Sequence, residues 1–134
     1  MNDTAASAGI RILMAEDNPD IARIVSFYLK NMRNAGVHAC ADGGEAMTEL
    51  SRQPYDLVVL DGNMPVADGL TVLRWMRKQK SLISVPVIFL TANHGRDFEQ
   101  QCMAAGAQLV MTKPFNPGLL VRQICSLLAA RPAG

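Results

Sequence analysis

Short apolar runs alternate with longer amphipathic segments along most of this chain. The run Asp56–Leu60 has no polar–apolar alternation after its first residue, which is typical of a parallel strand covered on both faces. Four other runs predict strands at residues 10–15, 37–41, 87–90 and 107–111. Helical segments separate the five strands, so the pattern indicates an α/β sandwich with a parallel sheet.

Five helices are predicted between and after these strands. The first starts at Pro19 and ends before Gly36, and its apolar stripe consists of Ile21, Ile24, Val25, Tyr28, Leu29 and Met32. The others are predicted from Gly43 to about residue 53, and at residues 69–80, 96–105 and 117–130. We expect residues 10–130 to form one domain, residues 1–9 a disordered tail, and residues 131–134 a tail or the start of a linker.

Polar side chains stand where four of the predicted strands end. Glu16 and Asp17 follow the first strand, and Asp61 follows the third. Thr91 follows the fourth strand, and Lys113 lies just after the fifth. Any one of them alone is typical of a turn or a helix cap. The carboxyl ends of parallel strands share one edge, however, so three acids, a hydroxyl and an ammonium group are expected to converge there.

Such a group of side chains suits phosphoryl transfer to a carboxylate. Three carboxylates near one point repel each other unless a cation lies between them, and oxygen ligands with room for water favour Mg²⁺. The ion would prepare Asp61 to attack phosphorus, while Lys113 and Thr91 would bind two phosphoryl oxygens. The product would be an aspartyl phosphate.

Four motifs carry a resemblance to a known family. They are Ala15-Glu16-Asp17-Asn18, Asp61-Gly62-Asn63-Met64-Pro65-Val66-Ala67-Asp68-Gly69, Leu90-Thr91-Ala92 and Lys113-Pro114-Phe115. In this order they resemble the receiver domain of two-component response regulators over about residues 10–130. The resemblance implies a flavodoxin-like, doubly wound (βα)5 fold whose five parallel strands lie in the order 2-1-3-4-5, as in chemotaxis receivers.

The resemblance also implies roles for particular residues. Asp61 would be the phosphorylated residue, assisted by Thr91 and Lys113. Mg²⁺ would be bound by Asp17, Asp61 and the backbone carbonyl of Asn63. Glu16 would act mostly through a bound water, and the peptide bond between residues 113 and 114 would be cis.

The partners follow from the same resemblance. The phosphoryl donor would be a histidine kinase or a histidine phosphotransfer domain, and small donors such as acetyl phosphate would also serve. Beyond this Mg²⁺-dependent self-phosphorylation and its own dephosphorylation, the domain would not be an enzyme. It would switch protein–protein interactions, either as a stand-alone domain or within a larger response regulator or hybrid histidine kinase, through an output domain or a downstream protein.

One position departs from the family pattern. Receivers commonly carry Tyr or Phe three residues before the lysine, and here Val110 occupies that place. Valine has no ring to move between pocket and surface, so we expect aromatic switching to be absent or weak. Asn63 and Asn93 stand two residues after the acceptor and the threonine. They either position or block an attacking water or serve only as turn formers.

Composition limits the other functions. The 134 residues carry a formal net charge of +1, which is too small to attract nucleic acid or an anionic membrane as the main partner. Neither a membrane-spanning run nor a secretory leader is legible, so a cytoplasmic location is expected. Cys40, Cys102 and Cys125 show no disulfide or metal-ligand spacing and are interpreted as reduced thiols that pack in the fold. A basic run at Arg74, Arg77, Lys78 and Lys80 is interpreted as a solvated helix face, and no chemistry is assigned to His38 or His94.

Two alternative functions remain open from the sequence. A haloacid-dehalogenase-type phosphohydrolase also combines Asp, Thr, Lys and Mg²⁺, but its nucleophile follows the first strand and a second acid stands where Asn63 is found here. A degenerate receiver would dock to partners without being phosphorylated. The presence of every pocket side chain argues against the second alternative.

Overall fold

The computed structural model describes residues 9–32, 35–93 and 95–130. Its strands are β1 (Ile10–Ala15), β2 (Ala35–Cys40), β3 (Leu57–Asp61), β4 (Val87–Thr91) and β5 (Leu109–Thr112). Its helices are α1 (Pro19–Met32), α2 (Gly43–Arg52), α3 (Gly69–Met76), α4 (Arg96–Ala105) and α5 (Pro117–Ala129). The alternation of strands and helices predicted from the apolar pattern is therefore confirmed.

All five strands are parallel and lie in the order β2-β1-β3-β4-β5. The predicted sheet order is confirmed, and it places β1 beside β3. The chain reverses its direction of winding at this pair, so the carboxyl ends of β1 and β3 flank the crevice where open α/β sheets bind ligands.

The core consists of two apolar layers, one on each face of the sheet. Successive residues of each strand point to opposite faces, so the central strands, buried on both, are apolar at nearly every position. Leu13, Val58 and Phe89 pack on the face that α2, α3 and α4 cover. Met14 and Val59 belong to the layer beneath α1 and α5. These layers hold the strand ends rigidly at one edge.

Several predicted boundaries were wrong. Gly36 does not end the first helix, because it lies inside β2, where it pairs with Arg11 of β1. The third helix stops at Met76 rather than near residue 80, since the backbone continues in tighter turns, with Lys78 donating to the Trp75 carbonyl. The fifth strand starts at residue 109 rather than 107. The ends of the third and fourth strands at Asp61 and Thr91 are as predicted.

The apolar stripe of α1 is narrower than predicted. Val25 and Leu29 are buried against the sheet. Ile24 and Tyr28 are 47% and 42% exposed, and Phe27 is 66% exposed. Val25 and Leu29 therefore form the row of α1 that packs on the sheet, while Ile24 and Tyr28 beside this row stay partly open to solvent.

The basic run after α3 is not a uniform solvated face. The Arg77 guanidinium is partly buried and donates hydrogen bonds of 2.8 Å to the carbonyl oxygens of Leu82 and Gly106. It also lies 3.3 Å from the side-chain oxygen of Gln108. Burial lowers the pKa of Arg77 from its ordinary value. Arg77 therefore ties the segment after α3 to the turn before β5.

Some predictions fall outside the part of the chain that the structure describes. They concern the tails at residues 1–8 and 131–134, and His94. Within the described ranges, no helix has both the length and the apolar character needed to cross a bilayer.

Candidate phosphoacceptor and metal site

The strand register brings the predicted site residues to one edge. Ala15 of β1 pairs with Leu60 of β3, so the next residue of each strand, Glu16 and Asp61, meet at the end of the sheet. Both are buried, with 3% and 2% exposure. Thr91 ends the neighbouring β4 and is also buried. The sheet order thus produces the convergence predicted from the sequence.

Lys113 lies between the two buried carboxylates. Its Nζ is 3.1 Å from Oδ1 of Asp61 and 3.2 Å from Oε1 of Glu16. The ammonium group reaches this position because Lys113 follows β5, where the backbone N–H of Lys113 donates to the carbonyl of Thr91 at 2.7 Å. The next peptide bond, between Lys113 and Pro114, is cis, as the family resemblance implied.

The carboxylates of Glu16 and Asp61 lie close together and share a single ammonium group, that of Lys113. Burial raises the pKa of Glu16 to about 7, and the neighbouring Asp61 charge adds to this, although the Asn18 N–H opposes it. Burial pulls the pKa of Lys113 down, but its hydrogen bond to Asp61 and the charges of Glu16 and Asp61 raise it overall. One ammonium group is shared by two carboxylates, so a negative charge remains to be balanced.

The acidic residues fit a divalent cation. One carboxylate oxygen from each of Glu16, Asp17 and Asp61 lies within 4.8 Å of the others. Among the described residues, Oδ2 of Asp61 is a buried side-chain atom that accepts no hydrogen bond, and Oε1 of Glu16 has only the ion-pair contact with Lys113. Buried oxygens without donors are costly unless something else satisfies them, and an oxygen-seeking ion such as Mg²⁺ does so.

The loop after β3 begins beside Asp61, the last residue of the strand. The backbone N–H of Asn63 donates to Oδ1 of Asp61 at 3.2 Å, and the Asn63 side chain is exposed. The oxygen Oδ1 is therefore occupied by Asn63 and Lys113, while Oδ2 stays open. This leaves one acceptor oxygen free for chemistry.

Thr91 keeps its hydroxyl hydrogen available. Its Oγ1 accepts a 2.9 Å hydrogen bond from the backbone N–H of Asn93, so the hydroxyl proton points elsewhere. The side-chain oxygen of Asn93 accepts from the N–H of Gly95 at 2.7 Å, which is a turn-forming contact. Asn93 is thus held in the loop by its own side chain.

Val110 packs, partly buried, against the layer that contains Phe89. Phe98 of α4 lies against the same layer, and its ring makes an edge contact with Phe89 at 6.0 Å. The rings that fill this region therefore come from β4 and α4 rather than from position 110. The expectation of little aromatic switching at Val110 remains a prediction.

A second buried carboxylate was missed by the sequence reasoning. Glu49 of α2 is 3% exposed and accepts a 2.5 Å hydrogen bond from the Tyr55 hydroxyl. The side chains of Gln53 and Arg52 also donate to it, and His38 Nδ1 lies 3.9 Å away. A Glu and a Tyr six residues apart on either side of a helix end give no recognisable motif, so the pattern offered no signal for this network.

Comparisons with known proteins agree with this geometry. The family model for the response regulator receiver domain matches residues 12–125. The regulatory protein VanRB of Enterococcus faecalis is 34% identical over 119 residues, covering 89% of this chain and 52% of VanRB. The sensor protein EvgS of Escherichia coli is 32% identical over 118 residues, covering 88% of this chain and 10% of EvgS.

A solved structure extends the likeness to the metal site. The receiver domain of the sensor histidine kinase PA1611 from Pseudomonas aeruginosa superposes with a TM-score of 0.82 at 33% identity, covering 92% of this chain and all of that domain. That structure is described with a magnesium ion coordinated in its active-site cleft.

The fold, the site and the matched residues define one class: this chain belongs to the response regulator receiver domain family. It spans about half of VanRB and about a tenth of EvgS, so relatives carry the domain both in regulators and in sensor proteins. Family membership removes the haloacid-dehalogenase-type alternative. Its function is that of a phosphoacceptor receiver in two-component signalling.

Proposed function

We propose that Asp61 accepts the phosphoryl group and that Lys113 and Thr91 stabilise it. The observation that supports this most directly is the open Oδ2 of a buried Asp61 whose other oxygen, Oδ1, lies 3.1 Å from the Lys113 ammonium group. A buried carboxylate with one oxygen lacking a donor is costly in a purely structural role. In an acceptor the same oxygen is the nucleophile.

The transfer would proceed in one displacement. An Asp61 oxygen forms a bond to phosphorus while the bond from phosphorus to the donor breaks. With phosphohistidine the leaving group is neutral imidazole, provided that its other ring nitrogen carries a proton. Lys113 balances charge on one phosphoryl oxygen, and the free hydroxyl hydrogen of Thr91 donates to another.

Mg²⁺ is the proposed cofactor. Asp17, Asp61 and the backbone carbonyl of Asn63 would hold it, and Glu16 would act mostly through a water. When bound, the ion neutralises the carboxylates and polarises a phosphoryl oxygen. The buried Oδ2 of Asp61, which accepts no hydrogen bond, and the single ammonium group shared by Glu16 and Asp61 support this assignment.

Intact mass after incubation with acetyl phosphate and MgCl₂ tests the acceptor. We expect one phosphate adduct on the wild type, none on Asp61→Asn, and none when Mg²⁺ is chelated. Asp56→Asn is the matched control, since Asp56 precedes β3, at the opposite end of the strand from Asp61. An adduct that persists in Asp61→Asn would show that another residue accepts the phosphoryl group. No adduct on the wild type would favour a degenerate receiver that docks without being phosphorylated.

We further propose that the donor is a histidine-bearing helix that docks beside Lys113. A groove of about 410 Å³ is lined by Ile24 of α1 and by Lys113, Pro114 and Phe115, the residues that follow β5. Ile24 is 47% exposed at this groove, and the groove is continuous with the acceptor site because Lys113 belongs to both. An apolar surface at the mouth of the site suits a helix that presents a phosphohistidine to Asp61.

Charge introduced into this groove should separate the two classes of donor. We expect Ile24→Glu to slow transfer about tenfold from a phosphorylated histidine phosphotransfer domain that is active on the wild type. The rate with acetyl phosphate should not change, because this donor needs no docking surface. Met103→Glu is the matched control, being 45% exposed on α4, on the other face of the sheet. Equal slowing of transfer by both variants would show that the donor does not dock in this groove.

The remaining expectations continue as proposals. The domain would extend over residues 10–130 and would hydrolyse its own acyl phosphate. It would act in the cytoplasm, either alone or as part of a larger regulator or hybrid kinase. Loss of the adduct over time after removal of acetyl phosphate measures the hydrolysis directly.

A further inference from the structure

A strained turn lies in the loop that follows the acceptor. The N–H of Ala67 donates to the carbonyl of Pro65 at 2.8 Å, which closes a three-residue γ-turn around Val66. Val66 has a φ of 71°, a conformation that a β-branched residue rarely adopts, and its side chain is 83% exposed. A strained, solvent-exposed apolar residue persists only where its surroundings over-determine the backbone.

The surroundings that hold this turn are the first residues of α2. The N–H of Gly43 lies 3.4 Å from the same Pro65 carbonyl. A Cβ on Gly43 would stand 2.0 Å from the carbonyl oxygen of Ala67, and a Cβ on Gly44 would stand 2.9 Å from Cγ1 of Val66. Only a helix start without side chains allows the turn to lie this close.

The same loop carries a proposed metal ligand. The segment between Asp61 and α3 is closed at its base, where the N–H of Gly69 donates to the carbonyl of Gly62 at 3.3 Å. Its outer part rests on Gly43 and Gly44. Asn63 lies between these two supports, so the position of its backbone carbonyl depends on both.

We propose that the Gly43-Gly44 start of α2 positions the metal site by seating the Val66 turn and thereby fixing the Asn63 carbonyl. This inference rests on the proposed Mg²⁺ site. Gly43 and Gly44 are positioning residues and do not touch the ion. The strain at Val66 is retained because relaxing the turn would move the loop that completes the ligand set.

The test is an NMR titration of backbone amides with MgCl₂ alone. Gly43→Ala risks misfolding because of its 2.0 Å contact, so Gly44→Ala is the informative variant. Alanine favours the helix itself, and its Cβ must displace the Val66 side chain. We expect the Kd for Mg²⁺ to rise about tenfold, the scale seen when supporting groups of a metal site are removed.

Two further variants make the result specific. Val66→Gly removes both Cγ1 and the unfavourable φ, so the double variant Gly44→Ala/Val66→Gly should recover an affinity close to that of the wild type. Gly36→Ala is the matched control, because a Cβ there meets nothing within 4 Å. A purely structural role would lower the melting temperature of Gly44→Ala without changing the Mg²⁺ affinity of the folded protein.

The outcomes separate this inference from the proposed function. Weaker Mg²⁺ binding in Gly44→Ala with recovery in the double variant supports the positioning role. Unchanged affinity in Gly44→Ala, or a loss that the double variant does not recover, overturns the inference while leaving the acceptor proposal intact. A wild type that does not bind Mg²⁺ overturns both.

Discussion

Two buried carboxylate clusters lie at opposite ends of this sheet, and they differ in the hydrogen-bond partners of their oxygens. At the amino end, both oxygens of Glu49 are partnered, by the Tyr55 hydroxyl and by side chains of α2 and the residue after it. At the carboxyl end, Glu16 and Asp61 share the single ammonium group of Lys113, and Oδ2 of Asp61 accepts no hydrogen bond. Both clusters exclude water to a similar degree.

The pKa shifts follow the difference in partners. Hydrogen bonds from Tyr55 and then Gln53 hold the pKa of Glu49 below its usual value. Burial raises the pKa of Glu16 to about 7. A buried acid with all its hydrogen bonds stabilises the fold, whereas one left short of donors is poised to bind something else. Burial alone therefore does not distinguish a structural acid from a functional one.

The largest expected effect is on phosphoryl transfer. Lys113→Met removes the only ammonium group within 4 Å of Asp61 among the described residues. The phosphorylation rate with acetyl phosphate should fall about 100-fold, the usual cost of losing one charge-stabilising donor. Time courses of the mass adduct measure it, with the exposed Lys78→Met as a control. A rate within threefold of the wild-type rate would show that Lys113 does not stabilise the transferred phosphoryl group.

The next effect falls on stability at the other cluster. Tyr55→Phe removes the hydroxyl that donates to Glu49 at 2.5 Å. We expect the free energy of unfolding to fall by about 1.5–3 kcal/mol, typical of a hydrogen bond to a charged group. Urea denaturation measures this, and the phosphorylation rate should stay constant. Tyr28→Phe, at a site 42% exposed, provides the comparison and should change little.

Removing the Asp61 carboxylate should raise the free energy of unfolding, which is opposite in sign to the effect of Tyr55→Phe. Asp61→Asn relieves repulsion with Glu16 and leaves Lys113 paired to one acid. In Mg²⁺-free buffer we expect stability to increase by about 1 kcal/mol, as is common when a functional site is relaxed. Urea denaturation with and without MgCl₂ checks it, and added Mg²⁺ should stabilise only the wild type. A loss of stability would mean that the cluster serves the fold after all.

The smallest effect is a pH dependence of the Glu49 cluster. Burial, aided by the hydrogen bond to Glu49, raises the pKa of Tyr55 to about 12 from its ordinary value of 10. The folded state thus keeps this proton more tightly than the unfolded state does. The stability advantage of wild type over Tyr55→Phe is complete below pH 10 and declines as the pH rises towards 12. Ultraviolet titration of tyrosinate measures the shift, and Glu49→Gln should reduce it.

The sequence allowed the carboxyl-end cluster to be predicted and not the amino-end one. Glu16, Asp61 and Lys113 each follow an apolar run, and parallel strands bring such positions together by a general rule. Glu49 lies in α2 and Tyr55 lies just before β3, so their contact depends on how the chain turns between the helix and the strand. The local pattern of apolar and polar residues does not record that turn.

The boundary errors have the same origin. The composition after Met76 predicts a third helix that continues to residue 80, yet Arg77 turns inward and donates to the carbonyls of Leu82 and Gly106. The usual preference of glycine predicts a helix end at Gly36, but β2 continues through Gly36 because β1 supplies pairing partners. In both cases a distant contact overrode local propensity.

The contact between Lys113 and Glu16 joins residues 97 positions apart in the chain. A chain still emerging from the ribosome with residue 113 inside the exit tunnel has Asp61 but no ammonium group beside it. Partial unfolding of β5 would separate the two in the same way. With Asp61 and Lys113 in their proposed roles, competence to accept a phosphoryl group would require a completed fold, and an incompletely made or damaged copy would not divert phosphoryl groups from intact ones.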